Sequence, residues 1–179
     1  MENKIFFNNI CNIERVNKVD DVLQIEGYCA HYDKPNLNME IVDARSFAKF
    51  FDMYGRGELK PDLNYQHTDT VIGDIDTIES REHGLWITAH LNYGVKIVDE
   101  MIAPNILKGS LCKFSTEGYI QNGIDGIEER GENYYVRDFL LTGVAVVRTP
   151  ADPNAVFSVK NYIEAWNEMH KKNKWYLMF

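Results

Sequence analysis

Histidine and serine side chains are the groups in this sequence best suited to acid–base and nucleophilic chemistry. The five histidines are His31, His67, His83, His90 and His170. His67 ends a short apolar run and precedes the polar stretch Thr68–Thr70, and functional side chains often project from such edges. Ser115 lies inside a strand-like run, where serine is not a favoured residue. An imidazole that titrates near neutrality can take the proton of a serine hydroxyl while its oxygen attacks an acyl carbon.

Residue type alone does not bring His67 and Ser115 together. The alternative interpretation is a solvated histidine and a small hydrogen-bonded serine in a sheet. His83 in a turn, His90 on the polar face of a strand and His170 near the end of the chain are expected to be solvated side chains.

Known motifs for other chemistries are absent. The sequence has no G-x-S-x-G elbow, no H-E-x-x-H pair and no glycine-rich phosphate loop. The three cysteines, Cys11, Cys29 and Cys112, include no C-x-x-C pair, which argues against a zinc ribbon or a thioredoxin-like site. We therefore predict no metal and no cofactor, and the odd cysteine count predicts reduced thiols.

Composition places the chain among folded acidic proteins. Of its 179 residues 45% are hydrophobic and 26% are charged, which is ordinary for a packed domain. The formal net charge of −8 argues against nucleic acid as a main partner, because binding phosphates needs a basic surface. The sequence shows neither a signal peptide nor a membrane span, so we expect a soluble intracellular protein, including one made in a virus-infected cell.

The elements that must position the two side chains follow from hydrophobic patterning. Apolar and β-branched runs predict strands at Lys4–Ile13, Val22–Ala30, Leu63–His67, Val71–Glu79, Leu85–Leu91, Leu111–Ile120 and Tyr134–Val147. Helical spacing predicts helices at Ala44–Tyr54 and Val95–Leu107, with Pro104 disturbing the second, and a loop at Asn122–Asn133. The expected fold is α+β, with a mostly antiparallel β-barrel or sheet core and helices outside it. We predict one domain at residues 1–157 and a helical tail at 158–179.

Ordered sequence blocks resemble the prohead (capsid-maturation) serine proteases of tailed bacteriophages, distant relatives of the herpesvirus assemblins. The blocks are Ile25-Glu26-Gly27-Tyr28, Ser46-Phe47-Ala48-Lys49, Tyr65-Gln66-His67, Val71-Ile72-Gly73, Gly84-Leu85-Trp86-Ile87, Leu107-Lys108-Gly109-Ser110-Leu111, Phe114-Ser115, Gly118-Tyr119, Val144–Val147 and Pro150-Ala151-Asp152-Pro153-Asn154-Ala155. Each block is weak alone, but together they follow the family's order over most of residues 23–157.

The resemblance implies a herpesvirus-protease-like fold with His67 as general base and Ser115 as nucleophile. It also implies an endopeptidase that cleaves scaffold and major capsid proteins, and often itself, inside the prohead in the host cytoplasm. A homodimer is compatible with it, and no membrane or nucleic acid is implied. In this setting the net charge of −8 suggests basic stretches of capsid or scaffold protein as partners.

One departure concerns the third catalytic group. Family members often carry an acid in the last core strand, where this chain has Gly143 and Ala145. Asp138 is close in sequence, but strand alternation places it on the other face. Three interpretations remain open: a Ser-His dyad, an acid from elsewhere, or a catalytically silent capsid assembly component. Arg148 or backbone N–H groups after this strand are candidates for the oxyanion hole.

Overall fold

A computed structural model describes residues 10–19, 22–36 and 39–148. Its strands are β1 Ile10–Asn12, β2 Arg15–Val19, β3 Val22–His31, β4 Glu40–Ile41, β5 Asp62–Tyr65, β6 Val71–Arg81, β7 Gly84–Leu91, β8 Lys113–Ile120, β9 Ile127–Arg130, β10 Asn133–Val136 and β11 Phe139–Val147. The α-helices are α1 Ala48–Gly55 and α2 Ala103–Leu107, with 3₁₀ turns at Ala44–Phe47 and Gly123–Gly126 and a π-helical turn at Val98–Ile102. The predicted boundary at residue 157 and the tail 158–179 lie outside the described residues.

The main sheet has eight strands in the order β1-β8-β11-β5-β6-β7-β3-β2. Every neighbouring pair is antiparallel except β5 and β11, which run parallel. Strands β4, β10 and β9 form a second, three-stranded sheet. The predicted α+β class and mostly antiparallel core are confirmed. The barrel alternative is wrong, because the sheet is not closed: among the described residues, β1 and β2 are its two edges.

Side-chain alternation gives the main sheet an apolar face and a second, more polar face around β5 and β8. Leu63, Phe114 and Val144 are fully buried in the hydrophobic core. Their neighbours Asn64 and Ser115 therefore point to the opposite face, because successive side chains in a strand alternate. This face carries the candidate catalytic residues.

The 3₁₀ turn Ala44–Phe47 begins at a side-chain cap and leads directly into α1, and the two together cover the core. The Asp43 carboxylate accepts hydrogen bonds from the backbone N–H groups of Arg45 and Ser46, and the Ser46 hydroxyl accepts one from the Asp43 N–H. These reciprocal bonds satisfy donors that a helix start leaves free. Phe47 and Phe50 are buried, and the Phe47 ring meets the Phe139 ring edge-on at 5.6 Å.

Three predicted elements differ from the structure. The expected helix over Val95–Leu107 is instead a π-helical turn followed by the short α2, which has Pro104 in its first turn. Pro104 has no N–H to donate and so cannot extend a regular α-helix from the preceding turn. The strand expected at Tyr134–Val147 divides between the two sheets at Asp138, whose φ is +50°. The loop expected at Asn122–Asn133 contains β9.

Candidate active site

Three neighbouring strands bring the candidate residues to one face of the sheet. In the registers of β5, β11 and β8, Asn64 lies opposite Ala145, and Ala145 lies opposite Ser115. Strand alternation then places Glu117, two residues beyond Ser115, on the same face. The polar face therefore holds Asn64, Ser115 and Glu117 side by side.

A strained turn after β5 presents His67 to this face. Gln66 and His67 have φ values of +54° and +58°, which is the left-handed region. This conformation costs about 1–2 kcal/mol per residue for side chains other than glycine. Hydrogen bonds hold the turn in place: the Gln66 N–H donates to the Val146 carbonyl at 3.1 Å, and the Thr68 hydroxyl donates to the Tyr65 carbonyl at 2.6 Å.

Glu117 connects the histidine to the sheet. His67 Nδ1 lies 2.6 Å from Glu117 Oε1, and Asn64 Nδ2 donates to Glu117 Oε2 at 3.0 Å. The His67 side chain is 27% exposed and that of Glu117 is 18% exposed, so the contact between them is partly shielded from water. With the carboxylate accepting from Nδ1–H, the imidazole is held in the tautomer whose Nε2 is free to take a proton.

Glu117 is the acid that sequence reasoning missed. Of the three interpretations left open, an acid from elsewhere matches this geometry, since Glu117 comes from β8 and not from the last core strand. Asp138 accepts a hydrogen bond from Asn122 Nδ2 at 2.9 Å instead. The signal was present in the sequence, because a residue two positions after Ser115 in a strand must share its face.

Gly143 leaves the space that Glu117 occupies. A Cβ atom at this position would lie 3.1 Å from Glu117 Oε2 and 3.3 Å from Asn64 Nδ2. The absence of a side chain in β11 therefore allows the carboxylate of β8 to reach across toward His67. Gly143 stands where the family often has an acid, and any side chain there would require Glu117 and Asn64 to shift.

Gly143→Ala tests this packing. We expect a loss of about 1–3 kcal/mol in the free energy of unfolding, because the added methyl group crowds Glu117 and Asn64. Urea unfolding measures this loss, and proton NMR follows the hydrogen-bonded Nδ1–H of His67, which should move upfield as the bond weakens.

The control for Gly143→Ala is Gly55→Ala. Gly55 is the last residue of α1, and a Cβ there would meet no atom within 4 Å. This variant should keep the His67 signal and be at least as stable as the wild type, since alanine favours helices. If both variants behave alike, Gly143 does not make room for Glu117.

Ser115 is completely buried. Its exposed fraction is 0%, and its Oγ has no hydrogen-bond partner among the described residues. No Ser115–His67 hydrogen bond therefore exists in this structure. An unpaired buried hydroxyl costs about 1–3 kcal/mol, and such groups in native proteins call for an explanation in terms of strain or function.

A cleft of about 400 Å³ opens beside His67. It is lined by Asp62, Asn64, His67, Thr68, Asp69, Val71, Glu117 and Thr142. This volume lies within the range of small-molecule and peptide side-chain pockets. Ser115 does not line the cleft itself, although Glu117 on the same strand does.

The remaining candidates lie away from this arrangement. Arg148 is exposed directly after β11 and forms no ion pair within the described part of the chain, so its oxyanion role stays a prediction. His83 is exposed, and His90 contacts Asp76 at 2.6 Å on another part of the sheet. His170 lies outside the described residues.

Cys112 is the potential nucleophile nearest to Ser115 in sequence among the described cysteines. Burial raises the pKa of the Cys112 thiol, and the nearby Lys113 only partly opposes that effect. The group is therefore held as a thiol at neutral pH and is a poor nucleophile. Across the described ranges, no group of three or more His, Cys, Asp and Glu side chains is arranged to hold a metal ion.

Comparison with solved structures identifies the fold. The structure of the bacteriophage T4 capsid assembly protease, gp21, matches with a TM-score of 0.66 at 16% sequence identity, over 83% of this chain and 100% of the T4 chain. The chain has the fold of a phage capsid assembly protease. The resemblance to prohead proteases is thus confirmed at the level of the fold.

A second solved structure matches more weakly. The varicella-zoster virus protease aligns with a TM-score of 0.42 at 13% identity, over 84% of this chain and 77% of that chain. No protein-family model and no curated protein matches the sequence. Within the described residues, no helix is long and apolar enough to cross a membrane.

Proposed function

We propose that this chain is a serine endopeptidase that cleaves scaffold and coat proteins, and itself, during phage capsid maturation. The observation that carries the proposal is the 2.6 Å contact between His67 Nδ1 and Glu117 Oε1, on the sheet face that also holds Ser115. The assigned roles are nucleophile for Ser115, general base for His67 and orienting acid for Glu117.

The proposed reaction begins when Ser115 Oγ attacks the carbonyl carbon of the scissile peptide bond and His67 Nε2 takes the hydroxyl proton. Backbone N–H groups after β11, or Arg148 directly or through water, stabilise the resulting oxyanion. His67 then gives the proton to the leaving amine, and an acyl-enzyme remains. Water activated by His67 hydrolyses the ester and restores the serine.

Glu117 supplies two contributions in this scheme. It fixes the imidazole tautomer through Nδ1–H, and its negative charge stabilises the imidazolium that forms during proton transfer. Asn64 holds the second carboxylate oxygen, so the acid keeps one orientation. Glu117 is therefore a positioning residue that acts through His67.

Substrate binding must expose Ser115 before the reaction can begin. Because Oγ is fully buried, the hydroxyl becomes available only when the surrounding chain moves on substrate binding. Catalytic hydrogen bonds are often long or poorly aligned before the substrate binds and tighten only in the complex, so the missing Ser115–His67 bond is compatible with the scheme. The proposed location is the prohead interior, with scaffold and major capsid proteins as substrates.

The experiment that tests the function is incubation of the purified chain with the scaffold and coat proteins of the same phage. Wild type is expected to give defined fragments by mass spectrometry, and His67→Ala is expected to give none. His83→Ala is the matched control, because it removes an exposed histidine in a turn. Intact substrates with wild type, or equal cleavage by His67→Ala, would contradict the proposal.

The second candidate is a catalytically silent capsid assembly component with a protease fold. The observation that favours it is the burial of Ser115 without access to the cleft. It predicts that wild type binds scaffold or coat protein without cutting it, which the same incubation measures.

A further inference from the structure

The cleft beside His67 has an unbalanced charge. Asp62, Asp69 and Glu117 line it, and none of its lining residues is a lysine or arginine. Glu117 is engaged by His67 and Asn64. The Asp62 and Asp69 carboxylates make no hydrogen bond or ion pair within the part of the chain that the structure describes.

Many acids elsewhere on the surface are paired. Those that contact an arginine or lysine include Glu26, Asp43, Asp52, Glu58, Asp74, Glu79 and Glu128. The cleft thus concentrates unpaired negative charge in a partly enclosed space, where an approaching cation is attracted more strongly than on an open surface.

Asn64 gives a second, independent indication that the cleft accommodates a group carrying hydrogen-bond donors. Its side chain lines the cleft and the residue is only 5% exposed. Its Nδ2 donates to Glu117, while its Oδ1 is buried and has no donor among the described residues. A buried acceptor without a donor is costly, so this part of the cleft lacks a hydrogen-bond donor. A ligand that brings N–H groups would complement the two aspartates, and a shift of the side chains around Asn64 on binding would bring one of its donors to the buried Oδ1.

We propose that this cleft selects substrates that carry a lysine or arginine close to the scissile bond, with Asp62 and Asp69 as the specificity-determining residues. The inference rests on the proposed protease function, because it assigns a substrate class to the same site. Register sets the distance: Asp62 and Glu117 share a row across the sheet, two residues from the row of Ser115 and Asn64. Two residues of strand span roughly 7 Å, so the basic side chain belongs within about two residues of the cut.

The test profiles cleavage sites in peptides made by cutting a proteome at glutamate, which keeps lysine and arginine inside the peptides. Sites cut by wild type should be enriched in lysine or arginine within two residues of the bond. The best substrate is then compared with its Arg→Gln or Lys→Gln version. We expect the ratio of kcat/KM between the two peptides to fall at least about tenfold in Asp69→Asn and Asp62→Asn.

Asp52→Asn is the matched control, because it makes the same chemical change on the exposed face of α1. It should keep the wild-type ratio. Efficient cleavage without basic enrichment, or an unchanged ratio in both cleft variants, overturns the specificity inference and leaves the protease proposal standing.

A binding measurement tests the cationic subsite without depending on cleavage, so it still applies if the protease proposal fails. Nα-acetyl-arginine amide and Nα-acetyl-glutamine amide are titrated into full-length Ser115→Ala, and backbone NMR shifts of Asp62 and Asp69 are followed. Selective shifts with the arginine probe support the cationic subsite even if wild type cuts no substrate. Equal shifts, or none, with both probes reject the subsite.

Discussion

Ser115→Ala is expected to reduce kcat/KM for scaffold or coat substrate by at least about 10³-fold, because the variant lacks the hydroxyl that forms the acyl-enzyme in the proposed mechanism. The remaining rate would come from substrate binding and oxyanion stabilisation alone. Fragment yield over time, followed by gel and mass spectrometry, measures the effect. Cys112 cannot substitute, since burial raises the pKa of its thiol and holds it protonated.

The stability of Ser115→Ala distinguishes lost chemistry from lost folding. The serine hydroxyl is buried without a partner among the described residues, so its removal should leave the free energy of unfolding unchanged or raise it by about 1 kcal/mol. Ser110→Ala is the matched control, because Ser110 is exposed and its hydroxyl bonds only within its own turn to Asn105. Cleavage by Ser115→Ala at the wild-type rate would contradict the assignment of Ser115 as the nucleophile.

Glu117→Gln is expected to lower kcat by about 10²- to 10⁴-fold with little change in KM. The carboxylate accepts from two donors, His67 Nδ1–H and Asn64 Nδ2. Glutamine has only one acceptor oxygen, so its NH₂ group must face one of these donors. The imidazole then loses both its negative partner and its single tautomer.

Nitrogen-15 NMR of the His67 ring reports the imidazole tautomer directly, which would not change if Glu117 had only a structural role. Wild type should show protonated Nδ1 and unprotonated Nε2, and Glu117→Gln should show a mixture of the two tautomers. Glu129→Gln, at an exposed position in β9, is the matched control and should resemble wild type. Full activity in Glu117→Gln would show that His67 works as part of a dyad.

Sequence reasoning reached the two residues whose types carry the proposed chemistry but not the geometry between them. Local sequence left His67 and Ser115 as candidates beside a solvated histidine and a hydrogen-bonded serine, and the resemblance to prohead proteases implied their catalytic roles. Their relation depends on the parallel pairing of β5 with β11, which joins segments about 80 residues apart and leaves no local pattern. Glu117 was accessible through strand alternation, but the search for an acid was directed at the last core strand.

The same limit explains the sheet and the second helix. Strand patterning gives the polarity of each face, yet whether a sheet closes depends on stagger and twist accumulated over all its strands. Pro104 marks an irregularity in the second helix, but its position does not say that a π-helical turn precedes it. The local sequence therefore shows where a regular element is interrupted, but it does not show which irregular structure replaces it.

The left-handed turn at Gln66 and His67 affects which substitutions at these positions would stabilise the protein. A glycine or asparagine would adopt these backbone angles more readily, so replacing His67 with either would relieve backbone strain. The same exchange would remove the 2.6 Å contact between His67 Nδ1 and Glu117 Oε1, so relief of backbone strain is offset by a lost hydrogen bond. In the proposed mechanism, this turn holds the imidazole beside the Glu117 carboxylate at the cost of backbone strain, as is common at functional sites.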